Sequence, residues 1–205
     1  MLSTRYGNQE NAPYIAVIVF IILAFSTIWL PWLNLKATVA CTSAKETLDY
    51  TELMQADEDY TKYGRRLDSY GSGLSQLASE KEYDTIRNSY NVMRYSALAG
   101  FVLLACTLVF VFINKKAMTI ASLLSTLAFA ASSISGLIYC SKTTDFMNDF
   151  IKKTIGSFIS IKYEISITYG LFIPVLASLV ITMIGFTIKS KPKVQEQTYD
   201  ADFYY

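Results

Sequence analysis

The residue types that most often carry catalysis and metal binding are sparse in this 205-residue chain. Histidine is absent, which removes the commonest general base and the commonest transition-metal ligand. The densest group of acids is Asp57-Glu58-Asp59, whose carboxylates could hold a hard cation weakly. A solvated helix surface explains the same group more simply. Because the common nucleophile, phosphate-loop and zinc motifs are also missing, we expect no enzyme, no metal site and no cofactor.

A second set of residues could recognise a partner. Between residues 50 and 96, aromatic and apolar side chains recur every three or four positions, which places them on one face of a helix. Packing within a helical hairpin or between copies explains this stripe more simply than partner binding does. The tyrosines that could bind a partner are Tyr60, Tyr63, Tyr70, Tyr83 and Tyr90.

Four apolar runs determine the fold class. Hydrophobic residues make up 52% of the chain, and none of its charged residues lies in these runs. About 20 apolar residues cross a hydrocarbon core of ~30 Å as a helix. The sequence therefore predicts an all-α membrane protein with four transmembrane helices, at residues 14–33, 97–113, 117–139 and 169–188.

The end of the first predicted helix carries both tryptophans of the chain. Trp29 and Trp32 lie where amphipathic rings prefer the membrane interface, so we expect both to be interfacial anchors. Pro31 cannot continue a helix and marks its exit. Pro13 fits the first helical position, which leaves residues 1–13 as a polar N-terminal segment.

The segments between the helices carry mixed signals. After an alternating strand segment that ends at Cys41, residues 34–96 predict a helical hairpin with a turn at Gly71-Ser72-Gly73, and its second arm continues into the second transmembrane helix. Residues 141–157 indicate a short amphipathic helix. Strict alternation over 159–167 predicts a strand just before the fourth helix.

Small residues recur along one face of the third predicted helix. In lipid, such residues let helices approach closely, because packing rather than hydrophobicity drives helix association there. We expect this face to lie in the centre of the bundle, as a general helix contact. Its members are Ala121, Ser125, Ala128, Ser132 and Gly136.

Lysines at the ends of the helices predict the orientation. Lys115 and Lys116 lie in the turn 114–116, and three lysines follow the fourth helix. The positive-inside rule places this turn, the N-terminus and the tail 189–205 in the cytoplasm. We expect the membrane to be the plasma membrane. The segments 34–96 and 140–168 then lie outside.

This orientation brings two cysteines to the same side. Cys41 and Cys140 would both lie just outside the membrane, where an oxidising compartment would let them form a disulfide. Two free, buried thiols are the alternative. Cys106 lies in the middle of the second helix and suits a small core residue.

The absence of charge at membrane depth argues against ion pumps, which need ionisable groups there. A net charge of +1 argues against nucleic acid as a partner. We therefore expect a non-catalytic structural, adhesion or accessory subunit of a membrane complex. Alternatives are a subunit of an oligomeric channel or transporter, and a sensor that reads its outer hairpin.

The expected partners are the lipid bilayer and other membrane proteins or further copies of the chain. The C-terminal residues Asp202-Phe203-Tyr204-Tyr205 also resemble ligands of domains that capture C-terminal carboxylates.

The order of these parts resembles the claudin and peripheral-myelin-protein superfamily of four-helix membrane proteins. In that family a Pro-Trp corner leads from the first helix into a strand, and Leu30-Pro31-Trp32-Leu33-Asn34-Leu35 is similar. The family also has an outer strand before its fourth helix, where Ile159–Ile167 lies. The resemblance implies a small two-stranded sheet and an adhesion or accessory role. The family's first-loop signature of tryptophan, glycine and paired cysteines is absent.

Overall fold

The computed structural model describes residues 3–39, 42–54, 80–155 and 161–188, and the side chains within 11–39, 42–54, 84–153 and 161–188. Four long helices dominate these residues, and each contains a segment long and apolar enough to cross a membrane. The prediction of four such helices is confirmed. They are α1 (Ser3–Ser26), α2 (Glu80–Ile113), α3 (Lys115–Ile155) and α4 (Tyr169–Thr187).

The first helix differs from its predicted bounds of 14–33 at both ends. α1 begins at Ser3, because the polar residues before Pro13 are compatible with a helix outside a membrane. It ends at Ser26 and is followed by a single 3-10 turn, Thr27–Trp29. Leu30 is already extended, as expected for a residue before a proline.

The third helix is longer than predicted. α3 has 41 residues and a length of about 61 Å, at 1.5 Å per residue. It runs through the first half of the segment 140–168, which the sequence argument took for a loop with a separate short helix. Nothing between residues 137 and 155 breaks a helix, since glycine and proline are absent there.

A three-stranded antiparallel sheet accompanies the helices, in place of the two-stranded sheet that the resemblance implied. Its order is β2-β1-β3, and Leu33 of the central strand pairs with Ile167 and with Leu48. The strands are β1 (Pro31–Val39), β2 (Thr42–Asp49) and β3 (Ile161–Ile167).

The second strand corrects the prediction of a helical hairpin in this region. β2 reads TSAKETLD, which lacks the alternating apolar residues of a recognisable strand. Its pairing with β1 begins directly after two intervening residues, at Val39 and Thr42. A helical stretch follows at residues 50–54, and the rest of the predicted first arm lies outside the described residues.

One face of the sheet packs against the helices. Leu33 and Ile165 are buried, and Leu35, Tyr163 and Ile167 are partly buried against the same core. We call this the inner face. The outer face carries Lys36, Lys45, Lys162 and Glu164, which are exposed.

The edge of β3 is closed by α3. The Asn148 side chain accepts a hydrogen bond from the Tyr163 amide and donates one to the Tyr163 carbonyl, both at 2.9 Å. Thr144 Oγ1 accepts from the Ile165 amide at 3.0 Å. These side chains satisfy backbone groups that would otherwise be open to another strand.

The start of β1 is fastened to the start of α4. The Thr168 amide donates to the Trp32 carbonyl at 2.9 Å, and the Thr168 hydroxyl donates to the Pro31 carbonyl. A Cβ on Gly170 would overlap the Pro31 carbonyl oxygen and lie 2.8 Å from Trp32 Cδ1. This approach therefore requires glycine.

We expect Gly170→Ala to lower the free energy of unfolding by about 1–3 kcal/mol, as overpacking of a well-packed site does. The Pro31 carbonyl belongs to the backbone of the junction and cannot rotate away. Gly185→Ala is the matched control, because the nearest atom to its added Cβ is the Thr119 hydroxyl, which can rotate. Thermal unfolding in mild detergent should show the larger decrease in Tm for Gly170→Ala. Equal decreases would contradict the tight junction.

Candidate functional site

A buried arginine lies where the sheet meets the helices. Arg94 of α2 is only 2% exposed. Its guanidinium carbon lies 5.2 Å from the centre of the Tyr90 ring and 5.1 Å from that of Tyr95. Aromatic faces attract such a cation, and Arg94 Nη2 also donates to the Tyr95 hydroxyl at 3.3 Å. We call Tyr50, Tyr90, Arg94 and Tyr95 the Arg94 cluster.

Two tyrosine hydroxyls join the chain after β2 to α2. The Tyr50 hydroxyl donates to the Arg94 carbonyl at 3.2 Å, and the Tyr90 hydroxyl donates to the Leu53 carbonyl at 2.5 Å. Tyr90 and Arg94 lie one turn apart on α2, so that they present the same face of the helix. The cluster is thus built from two segments about 40 residues apart in sequence.

The helical stretch that carries Tyr50 begins with a capping box. Asp49 Oδ1 accepts hydrogen bonds from the Glu52 amide at 2.9 Å and the Thr51 hydroxyl at 2.6 Å, and Glu52 Oε2 accepts from the Asp49 amide at 2.9 Å. Reciprocal bonds of this kind satisfy the free amides of a helix start. Partial burial raises the pKa of Asp49, but the hydrogen bonds outweigh it and leave the pKa below its ordinary value.

Burial also determines the protonation of Tyr50. It raises the pKa of Tyr50 to about 12, although the positive charge of Arg94 acts in the opposite direction. The phenol therefore stays protonated at neutral pH and remains a hydrogen-bond donor. The cluster combines a fixed positive charge with phenol donors, which suits it to fastening two segments together.

A series of ring contacts continues from the cluster into the helices. The ring of Trp32 lies 4.8 Å from that of Tyr50, Tyr50 lies 5.5 Å from Phe101, and Phe101 lies 5.0 Å from Phe129. Such pairs contribute beyond their buried area. The series links the first strand, the stretch after β2, α2 and α3.

The two tryptophans, both predicted as interfacial anchors, have different environments. Trp29 is 70% exposed, whereas Trp32 is 1% exposed. The Trp32 indole N–H donates to the Thr27 carbonyl at 2.7 Å, so its polar group is satisfied inside the chain. The expectation of an exposed anchor is therefore wrong for Trp32, because the turn after α1 directs its ring into the core.

The tyrosines proposed for partner binding are mostly not described. Tyr60, Tyr63 and Tyr70 lie outside the described residues, and of Tyr83 only the backbone, in α2, is described. Tyr90 is buried in the Arg94 cluster. At this position the structure favours packing, the alternative that the sequence left open.

The predicted disulfide and the acidic group stay untested. Cys140 is a buried free thiol, but Cys41 lies outside the described residues, as do Asp57-Glu58-Asp59. Within the described part of the chain, no group of three or more His, Cys, Asp or Glu side chains could hold a metal ion.

The small residues of α3 lie at helix contacts. The Ser125 hydroxyl donates to the Gly100 carbonyl and the Ser132 hydroxyl to the Met93 carbonyl, both at 2.8 Å. Ala121 is buried and Ala128 is half-buried. A Cβ on Gly136 would lie 2.9 Å from Leu171 Cδ2. This face of α3 therefore approaches both α2 and α4.

A small cleft of about 170 Å³ lies beside α3, on its part beyond Cys140. It contains two lysines and two aspartates, so its charges balance and favour neither a cation nor an anion. Its lining residues are Ile86, Lys142, Asp145, Phe146, Asp149, Phe150 and Lys153.

Sequence reasoning missed Arg94 because it grouped this residue with the solvated charges before the second apolar run. A signal was present: Arg94 directly follows Met93 and lies four residues after Tyr90, on the apolar face of the helical pattern. The capping pattern Asp49-x-x-Glu52 would likewise have located the helix start at residue 50.

No protein-family model matches the chain, and no curated protein matches it. The likeness to the claudin superfamily stays a prediction, and function is inferred from the contacts described above.

We expect Tyr50→Phe to flatten the loss of stability at alkaline pH. A folded-state pKa raised above the ordinary value of 10.0 means that Tyr50 contributes stability below about pH 10, and that this contribution is lost as pH rises through about 12. Tm measured from pH 9 to pH 12 should therefore fall less steeply for Tyr50→Phe than for the wild type. The exposed Tyr169→Phe serves as control and should follow the wild type. Parallel curves for all three proteins would contradict the buried phenol.

Proposed function

We propose that this protein is a non-catalytic integral membrane protein that acts as a structural, adhesion or accessory subunit and presents its sheet to a partner. One observation carries the proposal: the sheet is fastened to three of the four apolar helices at separate points. Thr168 joins β1 to α4, Asn148 and Thr144 join β3 to α3, and Tyr50 joins the end of β2 to α2. A sheet held in this way suits a rigid contact surface.

Exposed aromatic residues support insertion in a bilayer. Trp29, Tyr95 and Tyr169 belong to or follow three different helices and are exposed. Trp29 and Tyr169 lie close to the sheet in sequence, and Tyr95 lies beside Arg94 in the Arg94 cluster. Aromatic rings are enriched at membrane interfaces. From Tyr169, α4 runs for 19 residues, or about 28 Å, which matches a hydrocarbon core of ~30 Å. Lys115 and Lys116 are the first residues of α3 and directly follow the opposite end of α2. The positive-inside rule then favours an outer sheet.

The polar residues of the helices support a structural role over a channel. The hydroxyls of Ser125 and Ser132 bind carbonyls of α2, and Thr182 of α4 donates to Ser122 Oγ at 3.0 Å. These groups are buried and satisfied within the bundle. A polar pathway through one copy would need such hydroxyls to face an opening instead.

The membrane part of the proposal can be tested with the two native tryptophans. In vesicles with lipids brominated at different depths along the acyl chain, Trp32→Phe leaves Trp29 as the only tryptophan. We expect its fluorescence to be quenched most by bromines near the headgroups. Trp29→Phe, the matched control, leaves the buried Trp32, which should be quenched far less. Strongest quenching of Trp29 by bromines at the bilayer centre, or none at any depth, would contradict the placement.

The subunit role can be tested by purification from native membranes in mild detergent. We expect a stable complex with another membrane protein in defined stoichiometry. A homo-oligomer that conducts ions when reconstituted into liposomes would contradict the proposal and favour a channel.

A further inference from the structure

We infer that the outer edge of β2 binds an extended acidic segment of a partner protein by strand addition. This inference rests on the proposed function and names the surface and the partner chemistry that serve it. The two edges of the sheet differ in a way that identifies the binding edge: α3 closes the edge of β3, whereas residues 42–47 of β2 are all exposed.

The hydrogen-bonding direction of β2 follows from that of β3. The amides of Tyr163 and Ile165 bond to α3 and therefore face away from β1. Because the direction of the backbone N–H groups alternates along a strand, the N–H and C=O groups of Glu164 face β1. They pair with the backbone groups of Lys36, its partner in the register. The backbone N–H and C=O groups of Leu35 and Ala37 then face β2, where their partners are the backbone groups of Glu46 and Ala44.

The backbone groups of the remaining β2 residues point away from the sheet. Ser43, Lys45 and Thr47 alternate with the residues that bond to β1, so their N–H and C=O groups are directed outward. Within the described part of the chain no strand pairs with them. A row of this kind is a template for an added strand, and strand addition is an established way to bind extended peptides.

The charges on the outer face determine which strand fits. Cross-strand neighbours there form a row from β3 to the open edge: Glu164, Lys36 and Lys45. Lys36 and Lys45 lie directly opposite each other, and like charges in that position are destabilising. Glu164 balances one lysine, and a carboxylate on an added strand, opposite Lys45, would balance the other.

The same lysine disfavours pairing with a second copy. Two copies of β2 could pair antiparallel and symmetrically, so that the outward backbone groups of Ser43, Lys45 and Thr47 all form hydrogen bonds. Lys45 of one copy would then lie opposite Lys45 of the other. Lysines on edge strands commonly prevent such self-pairing. The edge therefore selects an acidic partner strand over a copy of itself.

The inference can be tested with two capped seven-residue probe peptides of alternating threonine and valine, one with a central glutamate and one with a central lysine. Full-length protein in nanodiscs is titrated with each, and backbone amide exchange is followed by NMR. We expect new protection at Ser43, Lys45 and Thr47, and about three- to tenfold tighter binding of the glutamate peptide, from the size of cross-strand charge effects.

Charge variants distinguish binding at the edge of β2 from a general electrostatic attraction between the peptide and the protein. Lys45→Glu should reverse the preference, and it forms a favourable pair with Lys36, so the sheet is retained. Lys162→Glu is the matched control on the outer face of β3 and should keep the wild-type preference. Lys45→Ala should bind both peptides without preference. Equal effects of Lys45→Glu and Lys162→Glu would overturn the inference.

Two other results would also overturn it: no protection of the three amides by either peptide, or protection that rises with protein concentration in the absence of peptide, which would indicate self-pairing. Quenching of Trp29 by brominated lipids in the same nanodiscs distinguishes failure of this inference from failure of the proposed function. Quenched Trp29 without peptide protection rejects the edge and leaves the proposed function standing, whereas unquenched Trp29 rejects the proposed function itself.

Discussion

The pairing of β1 with β3 is the constraint on which the rest of the structure depends. It joins Leu33 to Ile167, which are 134 positions apart, and so brings the end of the first apolar helix to the beginning of the fourth. Closing such a long loop has an entropic cost that local contacts must offset. Thr168 and Gly170 contribute by allowing the Pro31-Trp32 corner to approach α4 closely. Once this junction is formed, β2 and the helical stretch after it have a surface to pair with.

The Arg94 cluster is the second connection on which the fold depends. It joins the helical stretch after β2 to α2, whereas the first connection joins two strands. A buried guanidinium is stable only when polar and aromatic neighbours replace its water. The Tyr95 hydroxyl and the rings of Tyr90 and Tyr95 contribute to this around Arg94. Together with the ring contacts of Trp32, Phe101 and Phe129, the cluster connects the sheet to the helix core. The outer edge of β2 is then the exposed strand edge of a rigid surface.

The parts that the sequence predicts well are those with a strong local period. The four apolar runs, the continuous α2, the strand before α4 and the small-residue face of α3 follow from it. β2 was not predicted because TSAKETLD has no apolar alternation, and its stability comes from pairing with β1. The burial of Trp32 and Arg94 was not predicted because it depends on tertiary contacts. An interfacial tryptophan and a solvated arginine are the usual outcomes at such positions, but here the corner and the tyrosines bury both side chains.

The central claim is that β1 and β3 pair in a defined register above the helices. In non-hydrogen-bonded antiparallel pairs the Cα atoms come closest, so contacts between Hα protons report the register directly. NMR of the protein in nanodiscs should show strong Hα–Hα contacts between Leu35 and Ile165 and between Ala37 and Tyr163, the pairs found in the structure. Their absence, or contacts displaced by two residues along either strand, would contradict the account.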